Sequence, residues 1–217
     1  RVAFHIDVLL GSERVVVKEF VEETNFTCHL LVESSESMGF GSVGWTKLDY
    51  ARWCAAALGY LVLSQRDSAG MIVFDEEARS RVPPGNSAAQ HAGMLELLES
   101  AEPSGGTAVG DVLAWLGSHI SRRGIVIVLS DFFDEPDTIA TGIRQLAHAG
   151  HEVILFQILD PQELEFDYEK SLRLDGLEGG GRLQVDPVAI REAYREEIER
   201  HNAELARQAR SLSFDFQ

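Results

Sequence analysis

The sequence predicts an α/β protein with a doubly wound, mostly parallel, Rossmann-like sheet, followed by a C-terminal hairpin and a long helix. Two observations lead to this fold class. Short and almost wholly apolar segments, typical of strands buried on both faces, alternate along the chain with longer helical segments. After Asp160 this alternation stops, and a charged amphipathic pattern takes over at 191–210.

Composition limits the possible functions. The chain has 217 residues, of which 45% are hydrophobic, so one domain with an appendage and a packed core is expected. The formal net charge is -16. A nucleic-acid-binding surface is therefore not expected, because phosphate binding requires Lys and Arg. The sequence contains no apolar run long enough to span a membrane.

The two cysteines, Cys28 and Cys54, match neither a C-x-x-C nor a zinc-ligand spacing. Both lie in apolar stretches, where buried free thiols are the usual interpretation. This suits a reducing compartment, and we expect a cytoplasmic protein. The chain starts at Arg1 within strand-like sequence, so we also expect it to be a fragment of a longer protein.

We predict three parts: an N-terminal strand or hairpin extension at 1–25, an α/β domain at 26–160, and a final part at 161–217. In the extension, strand-like residues at 2–10 and 15–20 flank a possible turn at Gly11-Ser12. In the final part, residues 172–174 and 182–185 flank three glycines at 179–181 and predict a hairpin. A long helix then runs from Asp186-Pro187 to about Ser211, with a last strand at 212–216. We expect this part to pack on the same domain.

Within the α/β domain the apolar segments predict four core strands, one edge strand and four helices. The strands are at 27–32, 70–74, 125–129 and 153–158, with the edge strand at 78–82 ended by Pro83-Pro84. The helices are at 46–63, 88–98, from the loop at 104–107 to about 119, and at 135–149.

The first helix has a clear start signal. Thr46 is in the N-cap position and Asp49 is three residues later, as in a capping box. The mostly apolar run at 50–63 predicts burial on most sides. We expect Asp134 to cap the helix that follows it.

Residues 39–44 read GFGSVG, a literal match to the dinucleotide-binding pattern G-x-G-x-x-G. In a dinucleotide-binding unit the first glycine follows the strand at once and the later glycines open the helix. Here the strand ends near Glu33, six positions earlier, and the helix signal at Thr46 comes after the last glycine. The match therefore indicates a glycine-rich loop, and we expect no nicotinamide or flavin cofactor.

A second pattern overlaps this loop and points to a cation. Glu33 ends the first core strand and is followed by Ser35 and Ser37 at alternate positions. Thr107 lies in a later loop, and Asp131 directly follows the third core strand. Sites in open parallel sheets form beyond the carboxyl ends of the strands. Hydroxyl and carboxylate oxygens are the ligands that Mg²⁺ or Mn²⁺ prefers.

Each of these residues also has an ordinary structural interpretation. The serines could satisfy turn backbone, Thr107 could be an N-cap, and Asp131 could cap the next turn. Taken together, in this order and at strand ends, they favour a cation site.

The order Glu33-x-Ser35-x-Ser37, then Thr107, then Asp131, resembles the metal-ion-dependent adhesion site of von Willebrand factor A domains. That motif begins with Asp, so Glu33 departs from it by one methylene. More closely, the segments ETNFTCHLLVESSESMGFGSVGWTKLDYAR, SGGT, IVIVLSDFFDEP and GHEVILFQILDPQELEF resemble a bacterial family of unknown function. Members of that family have a von Willebrand factor A-like domain, here at 26–160. They are often encoded beside AAA+ ATPases of the MoxR type.

The resemblance implies that Ser35 and Ser37 contact the metal directly, that Thr107 and Asp131 bind it directly or through water, and that Glu33 supports the coordination shell. It also implies a non-enzymatic interaction domain, whose metal accepts a carboxylate from a protein ligand. The implied partner is a MoxR-type AAA+ ATPase acting in assembly or remodelling. Two alternatives stay open: a metal-free scaffold, favoured by Glu33, and a metal-dependent hydrolase using Asp131. The hydrolase has less support, because neither a G-x-S-x-G elbow nor a P-loop occurs.

Overall fold

The structure is a computed structural model. It describes residues 26–120, 122–169, 185–212 and 214–217, together with the backbone of further strands at 2–6, 17–21, 172–175 and 182–184. The helices and strands described, in chain order, are β1 (Val2–Ile6), β2 (Val17–Val21), β3 (Thr27–Glu33), a 3-10 helix (Glu36–Gly39), α1 (Lys47–Ser64), β4 (Ser68–Phe74), β5 (Ala78–Gly85), α2 (Ala88–Ser100), α3 (Val109–His119), β6 (Ile125–Ser130), α4 (Pro136–His148), β7 (Glu152–Gln157), α5 (Pro161–Glu165), β8 (Leu172–Asp175), β9 (Arg182–Val185), α6 (Pro187–Ser211) and β10 (Asp215–Phe216).

The main sheet has six strands in the order β10-β7-β6-β3-β4-β5. All neighbours are parallel except the edge strand β5, which runs antiparallel to β4. β3 lies between β4 and β6, and all seven of its residues are buried. Its mostly apolar sequence follows from this central position, since both of its faces are covered.

Two apolar cores cover the two faces of the sheet. On one face α3, α4 and the end of α6 bury Leu113, Ile143 and Leu205 against the strands. On the other face α1 and α2 bury Leu48 and Met94. Helices on both faces make the sheet doubly wound, so the predicted α/β class is confirmed.

The C-terminal segment completes the sheet. β10 pairs in parallel with β7, with Asp215 opposite Ile154. The long helix α6 is thus the crossover that leads to an edge strand, and its Leu205 and Ala209 belong to the core. We expected this segment to end in a strand at 212–216, and the strand in the structure is the shorter β10 (Asp215–Phe216). The three-part division of the chain at 25 and 160 stays a prediction.

Both predicted hairpins are antiparallel strand pairs, β1 with β2 and β8 with β9. The turns predicted at Gly11-Ser12 and at 179–181 lie outside the described residues. Within the part of the chain that the structure describes, none of the helices combines the length and apolar character needed to cross a bilayer.

Three sequence predictions about local structure were wrong. The N-cap of α4 is Glu135 rather than Asp134, whose carboxylate instead accepts hydrogen bonds from the N–H groups of Gly110 and Glu135. β5 does not stop before Pro83-Pro84 but continues through both prolines to Gly85. An edge strand tolerates proline because the missing N–H can face away from the ladder. The helix α1 is not buried on most sides, since Trp53 is 55% and Tyr60 61% exposed. One face of α1 packs against the sheet and α2, and the opposite face of α1 is in solvent.

Candidate functional site

The five predicted site residues converge at the carboxyl edge of the sheet. β3 and β6 are parallel neighbours, with Val32 opposite Leu129, so Glu33 at the end of β3 and Asp131 directly after β6 lie at the same edge. Ser35 and Ser37 lie in the segment that leaves β3, at the start of the 3-10 helix. Thr107 lies in the loop before α3, and its hydroxyl is hydrogen-bonded to Glu33 at the same edge.

Hydrogen bonds join these side chains in two groups. Thr107 donates its hydroxyl to Glu33 Oε1 at 2.7 Å. Ser37 donates to Asp131 Oδ2 at 2.7 Å, and the hydroxyl oxygens of Ser35 and Ser37 are 2.9 Å apart. Because Ser37 uses its single proton on Asp131, Ser35 is the donor to Ser37. The alternate spacing of the two serines therefore serves one directed chain of bonds that ends on Asp131.

Glu33 is fully buried and only half satisfied. Its Oε2 has no hydrogen-bond partner among the described residues, whereas Oε1 is bonded to Thr107. Burial, and then the negative charge of Asp131, raise the pKa of Glu33 to about 7, against the effect of the nearby hydroxyls of Ser130, Thr107 and Ser35. A buried carboxylate with a free oxygen is costly, so this position favours a proton or a cation.

A residue that the sequence analysis did not single out completes the cluster. Lys47, the first residue of α1, is buried, and its Nζ lies 2.7 Å from Asp131 Oδ2 and 2.6 Å from Glu163 Oε1. The ammonium also lies 5.0 Å from the ring centre of Phe133. A cation at a helix N-terminus is disfavoured by the helix dipole. A lysine in the first turn of a mostly apolar helix was the available signal, since burial of that turn requires a partner of opposite charge for the ammonium.

The glycine-rich loop at 41–45 is hydrogen-bonded to Asp160, the N-cap residue of α5, which also carries Glu163. Asp160 accepts a hydrogen bond from the Ser42 N–H at 2.7 Å, and its side chain also caps α5. A Cβ on Gly41 would overlap the carbonyl oxygen of Trp45, and Gly44 has a φ of +95°. These two glycines therefore have steric and conformational reasons that do not involve a cofactor.

The donor set fits a hard divalent cation in chemical type. Two carboxylates, one of them with the unpartnered Glu33 Oε2, and three hydroxyls supply oxygen donors of the kind that Mg²⁺ and Mn²⁺ take. Among the described residues, no group of three or more His, Cys, Asp or Glu side chains is arranged to hold a metal ion. The site thus depends on hydroxyls as much as on acids, and Lys47 already compensates the charge of Asp131.

Comparison with known proteins identifies the family. The model of the family described as "Protein of unknown function DUF58" matches residues 11–204, so the chain belongs to that family. Uncharacterized proteins of Mycobacterium bovis and Mycobacterium tuberculosis are 26% identical over 199 residues, covering 89% of this chain. The chain spans 62% of the length of these curated relatives.

Solved structures show the same fold. An aerotolerance-related membrane protein from Bacteroides fragilis aligns with a TM-score of 0.53 and 18% identity, over 84% of this chain and 94% of its own. BatB from Bacteroides thetaiotaomicron aligns with a TM-score of 0.54 and 17% identity, over 85% and 99%. A von Willebrand factor type A structure from Catenulispora acidiphila aligns at 0.43 and 20%, over 80% and 42%. The first two alignments agree with the predicted doubly wound α/β fold, and at these identities the likeness concerns the fold alone.

Proposed function

We propose that this chain is a non-enzymatic protein-interaction domain with a metal-ion-dependent adhesion-like site at the carboxyl edge of its sheet. Glu33, Ser35, Ser37, Thr107 and Asp131 would hold Mg²⁺ or Mn²⁺ there. When bound, such an ion supplies a Lewis-acid position that accepts a carboxylate from a partner protein.

One observation carries this proposal. Two pairs of distant residues form direct hydrogen bonds: Thr107 with Glu33, 74 positions away, and Ser37 with Asp131, 94 positions away. A set of capping and turn residues with separate local roles has no reason to converge in this way.

The partner we propose is a MoxR-type AAA+ ATPase, with the domain serving as its adaptor in assembly or remodelling in the cytoplasm. This step is supported by the family resemblance of the sequence. Other protein ligands that offer a carboxylate would fit the same chemistry.

A metal-free scaffold of the same fold is the second candidate, and one observation favours it. The Lys47 ammonium lies 2.7 Å from Asp131 Oδ2, so one of the two acidic residues is neutralised without any metal. In that case the edge would bind partners through its polar side chains alone.

The test is a binding measurement between this protein and a purified MoxR-type AAA+ ATPase from the same organism, by biolayer interferometry, in Mg²⁺ and in EDTA. We expect Thr107→Ala to weaken binding about tenfold or more in Mg²⁺, by analogy with the loss of a central contact. Thr141→Ala, on the exposed side of α4, is the matched control and should bind like wild type. Equal binding by wild type and a folded Thr107→Ala variant would overturn the proposed interface. Undiminished binding in EDTA would favour the metal-free scaffold.

A further inference from the structure

Lys47 holds an unusual position for a lysine. Its side chain is 2% exposed and lies between two carboxylates, Asp131 with a fully buried side chain and Glu163 with 13% exposure. Both Nζ–O distances, 2.7 and 2.6 Å, are those of charge-assisted hydrogen bonds. The ammonium is therefore a cation built into the candidate metal site.

Three of the four acceptor positions of the Asp131 carboxylate are already used, two of them on Oδ2. Its Oδ2 accepts hydrogen bonds from Ser37 Oγ and Lys47 Nζ, and its Oδ1 accepts from the N–H of Phe133 at 3.1 Å. A carboxylate oxygen has two lone pairs, so Oδ2 is saturated. A divalent ion that binds Oδ2 has to displace one of these donors, and like charge makes the Lys47 ammonium the one that moves.

Glu163 remains as an anionic partner for the displaced Lys47 ammonium. Its Oε2 accepts the backbone N–H of Asp160 at 2.8 Å in the capping box of α5, which fixes the carboxylate, while Oε1 remains bonded to Lys47. Lys47 can therefore leave Asp131 without becoming an unpaired buried charge. Glu33, with its free Oε2, stays available to an incoming ion.

We propose that Lys47 is a tethered competitor of the divalent ion: its ammonium compensates Asp131 when no metal is present, and metal binding requires it to shift onto Glu163. This rests on the proposed function in so far as the cluster is a cation site. Lys47 then sets the affinity of the site, which takes up Mg²⁺ or Mn²⁺ only at a concentration that outcompetes an internal cation.

The first test is calorimetric titration of Mn²⁺ into wild type and Lys47→Met, which keeps the length of the side chain and removes its charge. We expect the variant to bind Mn²⁺ about tenfold or more tightly than wild type, because the competitor is gone. Arg207→Met is the matched control, since it removes a positive charge from an exposed pair with Glu204. Equal or weaker Mn²⁺ binding by Lys47→Met overturns the proposal.

The second test does not depend on the folding of Lys47→Met. Glu163→Gln retains the helix cap, because Gln also serves at N3, but it removes the charged alternative partner. We expect its Mn²⁺ affinity to fall several-fold relative to Glu165→Gln, an exposed position on the same helix with the same charge change. Equal affinity of the two glutamine variants overturns the proposed role of Glu163.

These results are separable from those on partner binding. If Lys47→Met and Glu163→Gln change the Mn²⁺ affinity as expected while Thr107→Ala leaves partner binding unchanged, the competitor role of Lys47 is supported and the proposed interface is rejected. The absence of Mn²⁺ binding in both wild type and Lys47→Met rejects the competitor, whatever the partner assay gives.

Discussion

Lys47 Nζ and Asp131 Oδ2 lie 2.7 Å apart, although the two residues are 84 positions apart in the sequence. Both side chains are buried, at 2% and 0% exposure. The pair joins the start of α1 to the end of β6 and places a positive charge at the edge where the sequence predicted a metal ion.

Loss of one member of this pair should destabilise the fold. We expect Asp131→Asn to lower the free energy of unfolding by about 3 kcal/mol, because it leaves the buried Lys47 with a single anionic partner. Urea denaturation in EDTA measures this. The control is Asp215→Asn at an exposed position in β10, which should change stability by less than about 0.5 kcal/mol. Similar midpoints for the two variants would contradict the prediction.

Glu33 should make the metal-free protein less stable as the pH rises. Its pKa of about 7 in the folded protein lies above the ordinary 4.5, so the folded state binds the extra proton between these values. Stability from this group is therefore fully present below about pH 4.5 and is lost as the pH rises through 7, by about 3 kcal/mol in total.

Glu33→Gln should remove this dependence. In EDTA we expect the variant to gain stability relative to wild type between pH 5 and pH 8, as measured by urea unfolding at both values. Glu96→Gln, at an exposed position on α2, should show no such gain. A difference between Glu33→Gln and wild type that is the same at both pH values would refute the assignment.

Glu33→Asp should tighten divalent-ion binding. Glu places its oxygens one methylene further from the backbone than the Asp of the adhesion motif, and Mg²⁺ demands near-ideal geometry. We expect calorimetry to show several-fold tighter Mg²⁺ or Mn²⁺ binding by Glu33→Asp, and none by Asp131→Ala. Glu36→Asp, at the exposed first residue of the 3-10 helix that follows β3, should match wild type. If neither wild type nor Glu33→Asp binds a divalent ion at millimolar concentration, the metal-free scaffold replaces the metal site.

Gly41 should be needed for the shape of the loop. A Cβ there would overlap the carbonyl oxygen of Trp45, so Gly41→Ala should lower stability by about 1–3 kcal/mol. Gly93 is the contrasting site, because it lies in α2 with nothing within 4 Å of an added Cβ. Gly93→Ala should raise stability by up to about 1 kcal/mol through helix propensity. Thermal melts of both variants check this, and an unaffected Gly41→Ala would show that the loop can relax.

Local sequence patterns determined much of the fold. The apolar runs located β3, β4, β6 and β7, and Thr46 with Asp49 located the start of α1, where the capping box is present. Strand ends could be predicted because burial on both faces requires an uninterrupted apolar run and polar residues mark its end. Ser35 and Ser37 after β3, and Asp131 after β6, were predicted as site residues because they come just after the ends of these apolar runs.

The tertiary structure alone decided which side chains meet. The order that places β6 beside β3, the strand that α6 adds next to β7, and the exposed face of α1 depend on packing between distant segments. Lys47 was missed for the same reason, since its partners Asp131 and Glu163 are 84 and 116 residues away. Periodicity and capping act over a few residues. A buried charge, by contrast, is stabilised only by the groups that the completed fold brings to within hydrogen-bonding distance.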